Sequence, residues 1–241
     1  MTRRVLVLGG TAEARELATR LAARGDDVTT SLAGRTRHPR LPAGEVRTGG
    51  FGGVDGLAAA LGDVDVLVDA THPFAATMTE HAAAAAARTG TPLLVLRRPG
   101  WTAGPEDRWT RVGSLAEAAS RISPDARVLL ATGRQGVEAF ADVDAWFLVR
   151  AIEVPAVLPA RAELVLARGP FALDDERALL DRHRITVVVA KDSGGATEAK
   201  LVAARERSLP VLLVARPPLP GGVETVAGVD EALVRLEQRQ A

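Results

Sequence analysis

Two glycine-containing stretches carry the residue types best suited to binding an anion. The first, Gly9-Gly10-Thr11, follows the apolar run at residues 5–8 and precedes apolar side chains at helical spacing. Backbone N–H groups and the helix dipole favour a phosphate at such a turn, and Thr11 can cap the helix or bond a phosphate oxygen. The full dinucleotide fingerprint is absent, since Thr11 and Ala14 stand at its second and third glycine positions. The alternative is an ordinary strand-to-helix turn.

The second stretch follows the apolar run at residues 187–190. Its polar members are Lys191, Asp192, Ser193, Gly194, Gly195, Thr197 and Lys200. Lysines, hydroxyls and glycines at a strand end can hold carboxylates or phosphates. The order of Gly, Lys and Ser is not that of a Walker loop. A neighbouring strand end, Thr132-Gly133-Arg134-Gln135, offers a second anion contact, although Arg134 alone is equally typical of a surface charge.

The segment after the second predicted strand indicates which nicotinamide cofactor would bind. NAD-binding folds place an acid there, about 20 residues past the glycines, to bond the ribose hydroxyls. No acid occurs between Asp27 and Glu45; the segment instead holds Ser31, Arg35, Thr36 and Arg37. Guanidinium groups pair with phosphate in a fork, so the segment favours the 2′-phosphate of NADPH. The alternative is that Arg35 and Arg37 are solvated loop charges.

A histidine follows another predicted strand at residues 66–68. The ordinary pKa of a histidine lies near physiological pH, so His72 is a candidate proton donor. Lys191, Asp192 and bound water are the other candidates for the proton donor. The alternative is that His72 caps the next helix or packs beside Phe74. The four histidines lack any metal-ligand spacing, so no metal site is predicted.

Strands alternate with helices in both halves of the chain, which predicts an α/β fold with two Rossmann-like domains and mainly parallel sheets. Ser123-Pro124-Asp125 interrupts the pattern. We therefore expect an NADPH-binding domain at residues 1–125 and a second domain at 126–241 that contributes substrate-binding loops. Residues 97–113 read as irregular, with Trp101 and Trp109 in packing roles.

Bulk composition excludes several classes of function. The 30 basic and 30 acidic residues cancel, aromatic residues are 3%, and cysteine is absent. We expect no nucleic-acid partner, no membrane partner and no thiol chemistry. No signal sequence or membrane span is visible, so a cytoplasmic location is expected. The oligomeric state is left open.

Ordered sequence blocks spanning both halves resemble the precorrin-6A reductase family of cobalamin biosynthesis. The blocks are Leu8-Gly9-Gly10-Thr11-x-Glu13, Ser31-Leu32-Ala33-Gly34-Arg35-Thr36, Gly49-Gly50-Phe51-Gly52-Gly53, Asp69-Ala70-Thr71-His72-Pro73-Phe74-Ala75, Arg98-Pro99-x-Trp101, Thr132-Gly133 and Lys191-Asp192-Ser193-Gly194-Gly195.

The resemblance implies NADPH-dependent reduction of a ring-D double bond of a corrin precursor, giving precorrin-6B or its cobalt form. It also implies an active site in the cleft between two domains. The implied cofactor-binding residues are Gly9, Gly10, Thr11, Glu13, Ser31, Gly34, Arg35, Thr36, Gly50, Phe51 and Thr71. The implied contacts to the substrate carboxylates are Gly133, Arg134, Gln135, Lys191, Ser193, Gly194, Thr197 and Lys200.

Two other functions remain open. One is another NADPH-dependent enzyme, such as an epimerase or a short-chain reductase. The chain has no tyrosine, so the Tyr–Lys pair of short-chain reductases cannot form. The other is a non-catalytic NADPH-binding sensor on a Rossmann scaffold.

Overall fold

The computed structural model describes residues 2–34 and 41–239. Strands and helices alternate along these residues. The strands are β1 (Arg4–Leu8), β2 (Asp27–Leu32), β3 (Glu45–Thr48), β4 (Val66–Asp69), β5 (Leu93–Leu96), β6 (Trp109–Val112), β7 (Arg127–Ala131), β8 (Trp146–Ala151), β9 (Ala162–Leu166), β10 (Val187–Lys191), β11 (Val211–Val214) and β12 (Glu224–Val226). The helices are α1 (Ala12–Ala23), α2 (Val54–Ala60), α3 (Ala76–Thr89), α4 (Leu115–Ser120), α5 (Leu173–Arg182), α6 (Ala199–Glu206) and α7 (Val229–Gln238).

The chain forms two compact units, and one of them is discontinuous. The first unit contains residues 1–99 and 217–241, and the second contains residues 100–216. This division differs from the predicted boundary between residues 125 and 126. The reason is strand pairing: β6 pairs with β11, whereas β12, far along the chain, pairs with β5.

The first unit contains a six-stranded parallel sheet in the order β12-β5-β4-β1-β2-β3. Read from β3, this is the Rossmann order 3-2-1-4-5-6 with β12 in the sixth place. The order reverses between β1 and β4, and ligands of such sheets bind outside the carboxyl ends of the strands at that switch point.

The second unit repeats this strand order. Its sheet runs β6-β11-β10-β7-β8-β9, again with parallel pairs only. Here β7 is the first strand, β10 is the fourth, and β6 fills the sixth place. The predicted α/β class with two Rossmann-like parallel sheets is confirmed, and the second switch point lies between β7 and β10.

Alternating apolar side chains on β1 explain why helices cover both faces of the first sheet. Val5 and Val7 belong to a core that includes Leu17 and Leu21 of α1 and Leu233 of α7. Leu6 and Leu8 belong to a second core, formed with buried residues of α2 and α3. A strand buried on both faces reads as a continuous apolar run, as β1 does.

The core of the second unit forms around β7, β8, β10 and β11. Leu129, Leu148 and Val188 lie there with Leu201 of α6 and with Trp101, which is 7% exposed. The expected packing role of Trp101 is therefore confirmed.

Within residues 2–34 and 41–239, no helix is both long and apolar enough to cross a bilayer.

The C-terminal helix provides a test of the discontinuous first unit. Leu233 is buried in the core with α1, whereas Val234 on the same helix is 51% exposed. We expect Leu233→Ala to lower the free energy of unfolding of this unit by about 2–5 kcal/mol, because it leaves a cavity. The control Val234→Ala should change it by less than about 0.5 kcal/mol. Urea unfolding followed by circular dichroism measures both, and equal effects would contradict the placement of α7.

Candidate functional site

The glycine turn after β1 is shaped by close packing on one side and open space on the other. A Cβ on Gly9 would lie 2.8 Å from Thr30 Cγ2, so β2 leaves no room for a side chain there. Gly10 has a φ of +117° and no atom within 4 Å of its Cβ position. A side chain at Gly10 would strain the backbone and fill the space beside the start of α1, where N–H groups lack intrahelical acceptors. The turn therefore leaves room for a ligand beside the N–H groups at the start of α1.

Thr11 is committed to the protein rather than to a ligand. Its hydroxyl accepts the Ala14 N–H at 3.1 Å, which caps α1, and donates to the Ala70 carbonyl at 2.8 Å. The sequence left open whether Thr11 caps the helix or bonds a phosphate, and the structure shows the cap. Two residues further on, Glu13 forms an ion pair of 3.0 Å with Arg98.

Ser31 and Arg47 lie side by side at the carboxyl ends of β2 and β3, a contact that was not predicted from the sequence. Ser31 is in register with Arg47, and the Arg47 Nη1 donates to the Ser31 hydroxyl at 3.1 Å. Arg47 also donates to the carbonyls of Gly49 and Gly50 and stacks 3.8 Å from the centre of the Phe51 ring. A guanidinium thus stands where the ribose end of a dinucleotide binds in this fold.

Part of the predicted ribose-binding segment, namely Arg35, Thr36 and Arg37, lies outside the described residues. Gly34, which precedes them, has a φ of +70°, and a Cβ there would lie 3.2 Å from Thr48 Cγ2. Gly34 therefore meets the end of β3 closely.

The end of β4 is organised by a buried carboxylate. Asp69 is 2% exposed; its Oδ1 accepts from the N–H and hydroxyl of Thr71, and its Oδ2 accepts from the hydroxyl of Thr79 at 2.6 Å. Sequence reasoning gave Asp69 no role, although an acid closing an apolar strand is a usable signal. The network fixes the turn that carries His72.

His72 is exposed and takes part in that turn. Its Nδ1 accepts the Phe74 N–H at 3.3 Å, and the two rings lie 5.9 Å apart. These contacts match the packing alternative stated for His72. Asp69, Thr71 and His72 also line a pocket of the first unit with Arg97 and Leu219.

In the second unit, the loop after β7 carries the predicted anion contacts. Thr132 is 6% exposed, and its hydroxyl has no hydrogen-bond partner among the described residues. Gly133 has a φ of +77° with open space at its Cβ position. The Arg134 guanidinium donates to Glu153 at 2.6 Å. Its charge is therefore paired, and an anion at this loop would compete with Glu153.

Lys191 is the last residue of β10, which borders the second switch point on the side opposite β7. Its Nζ lies 3.4 Å from the Gln135 carbonyl of the β7 loop. Burial lowers the pKa of Lys191, an effect that the Glu138 carboxylate opposes. The loop then turns through Ser193, whose N–H bonds the Lys191 carbonyl at 2.7 Å, and through Gly194 and Gly195 with φ of +65° and +69°.

Asp192 anchors this loop. It is 5% exposed; Oδ1 accepts the Trp101 N–H at 2.9 Å, and Oδ2 accepts from Arg111 at 2.8 Å. The Trp101 indole in turn donates to the Gly195 carbonyl at 3.1 Å. Both carboxylate oxygens are therefore occupied by donors, so Asp192 holds the loop in shape and is poorly placed to give a proton. The contacts of Trp101 and Arg111 with Asp192 were not predicted from the sequence, because the partners lie 91 and 81 residues apart.

Lys200 lies inside the unit and not on the loop surface. It is 7% exposed, its Nζ donates to the Thr197 carbonyl, and it stands 4.6 Å from the centre of the Trp101 ring. Nearby, the buried pair Arg150–Glu176 has an N···O distance of 2.9 Å. Burial, followed by the charge of Arg150, lowers the pKa of Lys200 to about 8, while Glu176 and Glu198 oppose the shift. The direct carboxylate contact predicted for Lys200 does not fit this burial.

The structure thus groups most predicted residues at two strand edges. The ends of β1, β2 and β4 in the first unit carry Gly9, Gly10, Thr11, Ser31 and Thr71, and the ends of β7 and β10 in the second carry Gly133, Arg134, Gln135, Lys191, Ser193 and Gly194. Gly50 and Phe51 follow β3, and Thr197 is an exposed residue at the end of the second loop.

A parallel sheet in the order 3-2-1-4-5-6 with a glycine turn after its first strand places this chain in the class of doubly wound α/β proteins, many of which bind nucleotides at that turn. The model of the family described as "Precorrin-6x reductase CbiJ/CobK" matches residues 4–237. This chain belongs to the precorrin-6x reductase family, as the sequence blocks indicated.

Individual relatives agree with the family match. A precorrin-6A reductase of Rhodococcus erythropolis is 56% identical, over 95% of this chain and 96% of that protein. A cobalt-precorrin-6A reductase of Methanothermobacter thermautotrophicus is 32% identical, over 93% and 80%. The solved structure of a CobK precorrin-6A reductase matches with a TM-score of 0.93 and 43% identity, over 100% of this chain and 98% of that one.

The buried lysine makes folding stability depend on pH. The pKa of Lys200 falls from its ordinary 10.5 to about 8 in the folded protein, so the unfolded chain binds more protons between these values. Stability should therefore rise with pH across that window, by up to about 3 kcal/mol from this group. Urea unfolding at pH 7 and at pH 10 should show wild type gaining stability relative to Lys200→Met. Parallel changes in the two proteins would contradict a depressed pKa.

Proposed function

We propose that this protein is a precorrin-6A reductase, which uses NADPH to reduce a ring-D double bond of the cobalt-free corrin precursor to give precorrin-6B. The match of 56% identity over nearly the full length of a precorrin-6A reductase carries the proposal. The lower identity of 32% to a cobalt-precorrin-6A reductase favours the cobalt-free substrate.

The first unit is proposed to bind the cofactor. NADPH, when bound, supplies a hydride from its nicotinamide ring. The space at Gly10, which any Cβ would fill, and the donor-rich start of α1 fit its pyrophosphate. Ser31, Gly34, Arg35 and Thr36 are proposed to contact its ribose end, on the sequence argument given above. Glu13, Gly50, Phe51 and Thr71 complete the proposed set.

The second unit is proposed to hold the carboxylates of the precursor. Backbone N–H groups at Gly133, Gln135, Gly194 and Thr197 suit carboxylate oxygens, as do the Ser193 hydroxyl and the Arg134 guanidinium. Lys200 is proposed to act indirectly, because its bond to the Thr197 carbonyl fixes the loop from beneath.

The reaction adds a hydride to one carbon of the double bond and a proton to its neighbour. We assign the proton to Lys191, because its Nζ lies at the switch point and burial lowers its pKa toward the pH at which a general acid works best. The composition of the chain favours a specific role for lysine at position 191. Of the 30 Lys and Arg residues, only Lys191 and Lys200 are lysines. Arginine cannot give up its proton in a protein. His72 remains the second candidate, from the first unit.

The activity is tested by mixing purified protein with NADPH and precorrin-6A. Nicotinamide absorbance should fall as a tetrapyrrole heavier by two hydrogens forms, with one NADPH consumed for each product molecule. Turnover with only the cobalt-containing substrate would contradict the cobalt-free assignment. Tight NADPH binding without turnover on either tetrapyrrole would contradict the enzyme and favour the sensor.

The role of Lys191 is tested by Lys191→Arg and Lys191→Gln. Both should lower kcat by about 10² or more, since neither side chain can donate the proton, while NADPH affinity stays unchanged. In wild type, kcat should fall as pH rises through the pKa of Lys191, because the protonated form is the active one, and this alkaline fall should be absent in Lys191→Arg. Full activity of Lys191→Arg would instead make residue 191 a carboxylate anchor.

A further inference from the structure

The side chain of Arg47 joins the ends of β2 and β3 to the glycine loop that follows them. It bonds the Ser31 hydroxyl at 3.1 Å and the Gly49 and Gly50 carbonyls at 3.5 and 3.3 Å, with its guanidinium stacked 3.8 Å from the centre of the Phe51 ring. Arg47 occurs in none of the sequence blocks above, because it lies just before the glycine stretch. Only the parallel register of β2 and β3 brings it beside Ser31.

The position of Arg47 corresponds to the ribose end of a dinucleotide. In Rossmann sheets the residue at the end of the second strand meets the adenosine ribose, and here that strand ends with Ser31 and Leu32. Ser31 is 6% exposed and its hydroxyl already accepts from Arg47. The charged group that a ligand meets at this place is therefore the guanidinium, and the Ser31 hydroxyl beside it keeps its own proton to donate.

The guanidinium retains unused donors, and Phe51 covers one of its two faces. Three of its five N–H groups are used by the bonds named above, so the Nε–H and one Nη2–H have no acceptor within residues 2–34 and 41–239. One planar face lies on Phe51, which leaves the opposite face for a second flat group such as adenine. No carboxylate pairs with Arg47 in those residues, in contrast to Arg98 and Arg134.

We propose that Arg47 is a specificity-determining residue that binds the 2′-phosphate of NADPH and stacks on its adenine. This inference rests on the proposed function, because it assumes that the first unit binds a nicotinamide dinucleotide. The bonds to the serine hydroxyl and to two carbonyls hold the guanidinium in place before the ligand arrives, so little side-chain entropy is lost on binding. A charged fork of this kind distinguishes a phosphate from a hydroxyl.

The test is the binding of NADPH and NADH, measured separately by isothermal titration, with no tetrapyrrole present. Wild type should prefer NADPH. Arg47→Gln should lose at least about tenfold in NADPH affinity, with NADH affinity changed far less, because the lost bonds are to a charged group. Arg47→Lys should recover part of the NADPH preference, because it restores the charge without the planar fork.

The matched control is Arg88→Gln, which removes the same charge from the end of α3, where Arg88 pairs with Asp55. It should leave both affinities unchanged. Equal weakening of NADPH and NADH by Arg47→Gln would show that Arg47 only shapes the glycine loop, and unchanged affinities would remove it from the site; either result overturns the inference. If the wild-type protein bound neither dinucleotide, the proposed NADPH cofactor would be wrong and the inference about Arg47 would fall with it. The wild-type titration alone shows that outcome, so it is distinguishable from a failure of the Arg47 inference.

Discussion

Each parallel sheet of this protein reverses its strand order once, and that reversal determines where chemistry can take place. Helices that follow neighbouring strands cross to opposite faces at the reversal, so the loops that lead into them separate and leave a crevice. In the first unit the loops after β1 and β4 border the crevice, and in the second the loops after β7 and β10 do so. Those four loops carry the glycine turn, the Asp69 network, Thr132-Gly133 and Lys191.

Buried polar groups hold these loops in single conformations. Asp69 gathers three hydrogen bonds from Thr71 and Thr79, and Asp192 gathers donors from Trp101 and Arg111. Removing a partner from such a group would leave a buried charge unsatisfied, which is more costly than the bond itself is stabilising. The loops are consequently preorganised, which is how a protein of this class contributes to hydride transfer, since positioning supplies much of the rate.

Local sequence signals predicted the elements that have strong patterns. The apolar run before Gly9 and the helical spacing from Ala14 to Leu21 identified β1 and α1, and the equivalent runs identified β7 and β10. The strands β6 and β12 were missed, because they have four and three residues and lie in segments with proline, glycine or exposed side chains. Each is an edge strand that pairs with a strand distant in the sequence, β6 with β11 and β12 with β5, and this long-range pairing moved the division between the units.

The candidate sites show the same limit at the level of single residues. Lys191, Gly10 and Thr11 were predicted because they stand beside glycines at the end of an apolar run. The contacts of Arg47, Trp101 and Arg111 were not predicted, because their partners Ser31, Gly195 and Asp192 are reached through strand register or across the unit. The sequence also does not show how deeply a side chain is buried. Lys191 and Lys200 look alike in the sequence, yet Lys191 ends a strand at the switch point and Lys200 lies against the ring of a tryptophan.

Those two lysines also show why composition is informative only together with the structure. In a chain that otherwise uses arginine for positive charge, a lysine differs in having a pKa that burial can lower. Burial lowers the pKa of both, and both belong to the segment that begins at the end of β10. For Lys200 the consequence is structural, since its Nζ bonds a loop carbonyl inside the unit. For Lys191, at the switch point itself, the same physical effect makes an ammonium group a better acid. The same property of lysine therefore has a structural consequence at one position and would have a chemical one at the other, if Lys191 is the proton donor proposed above.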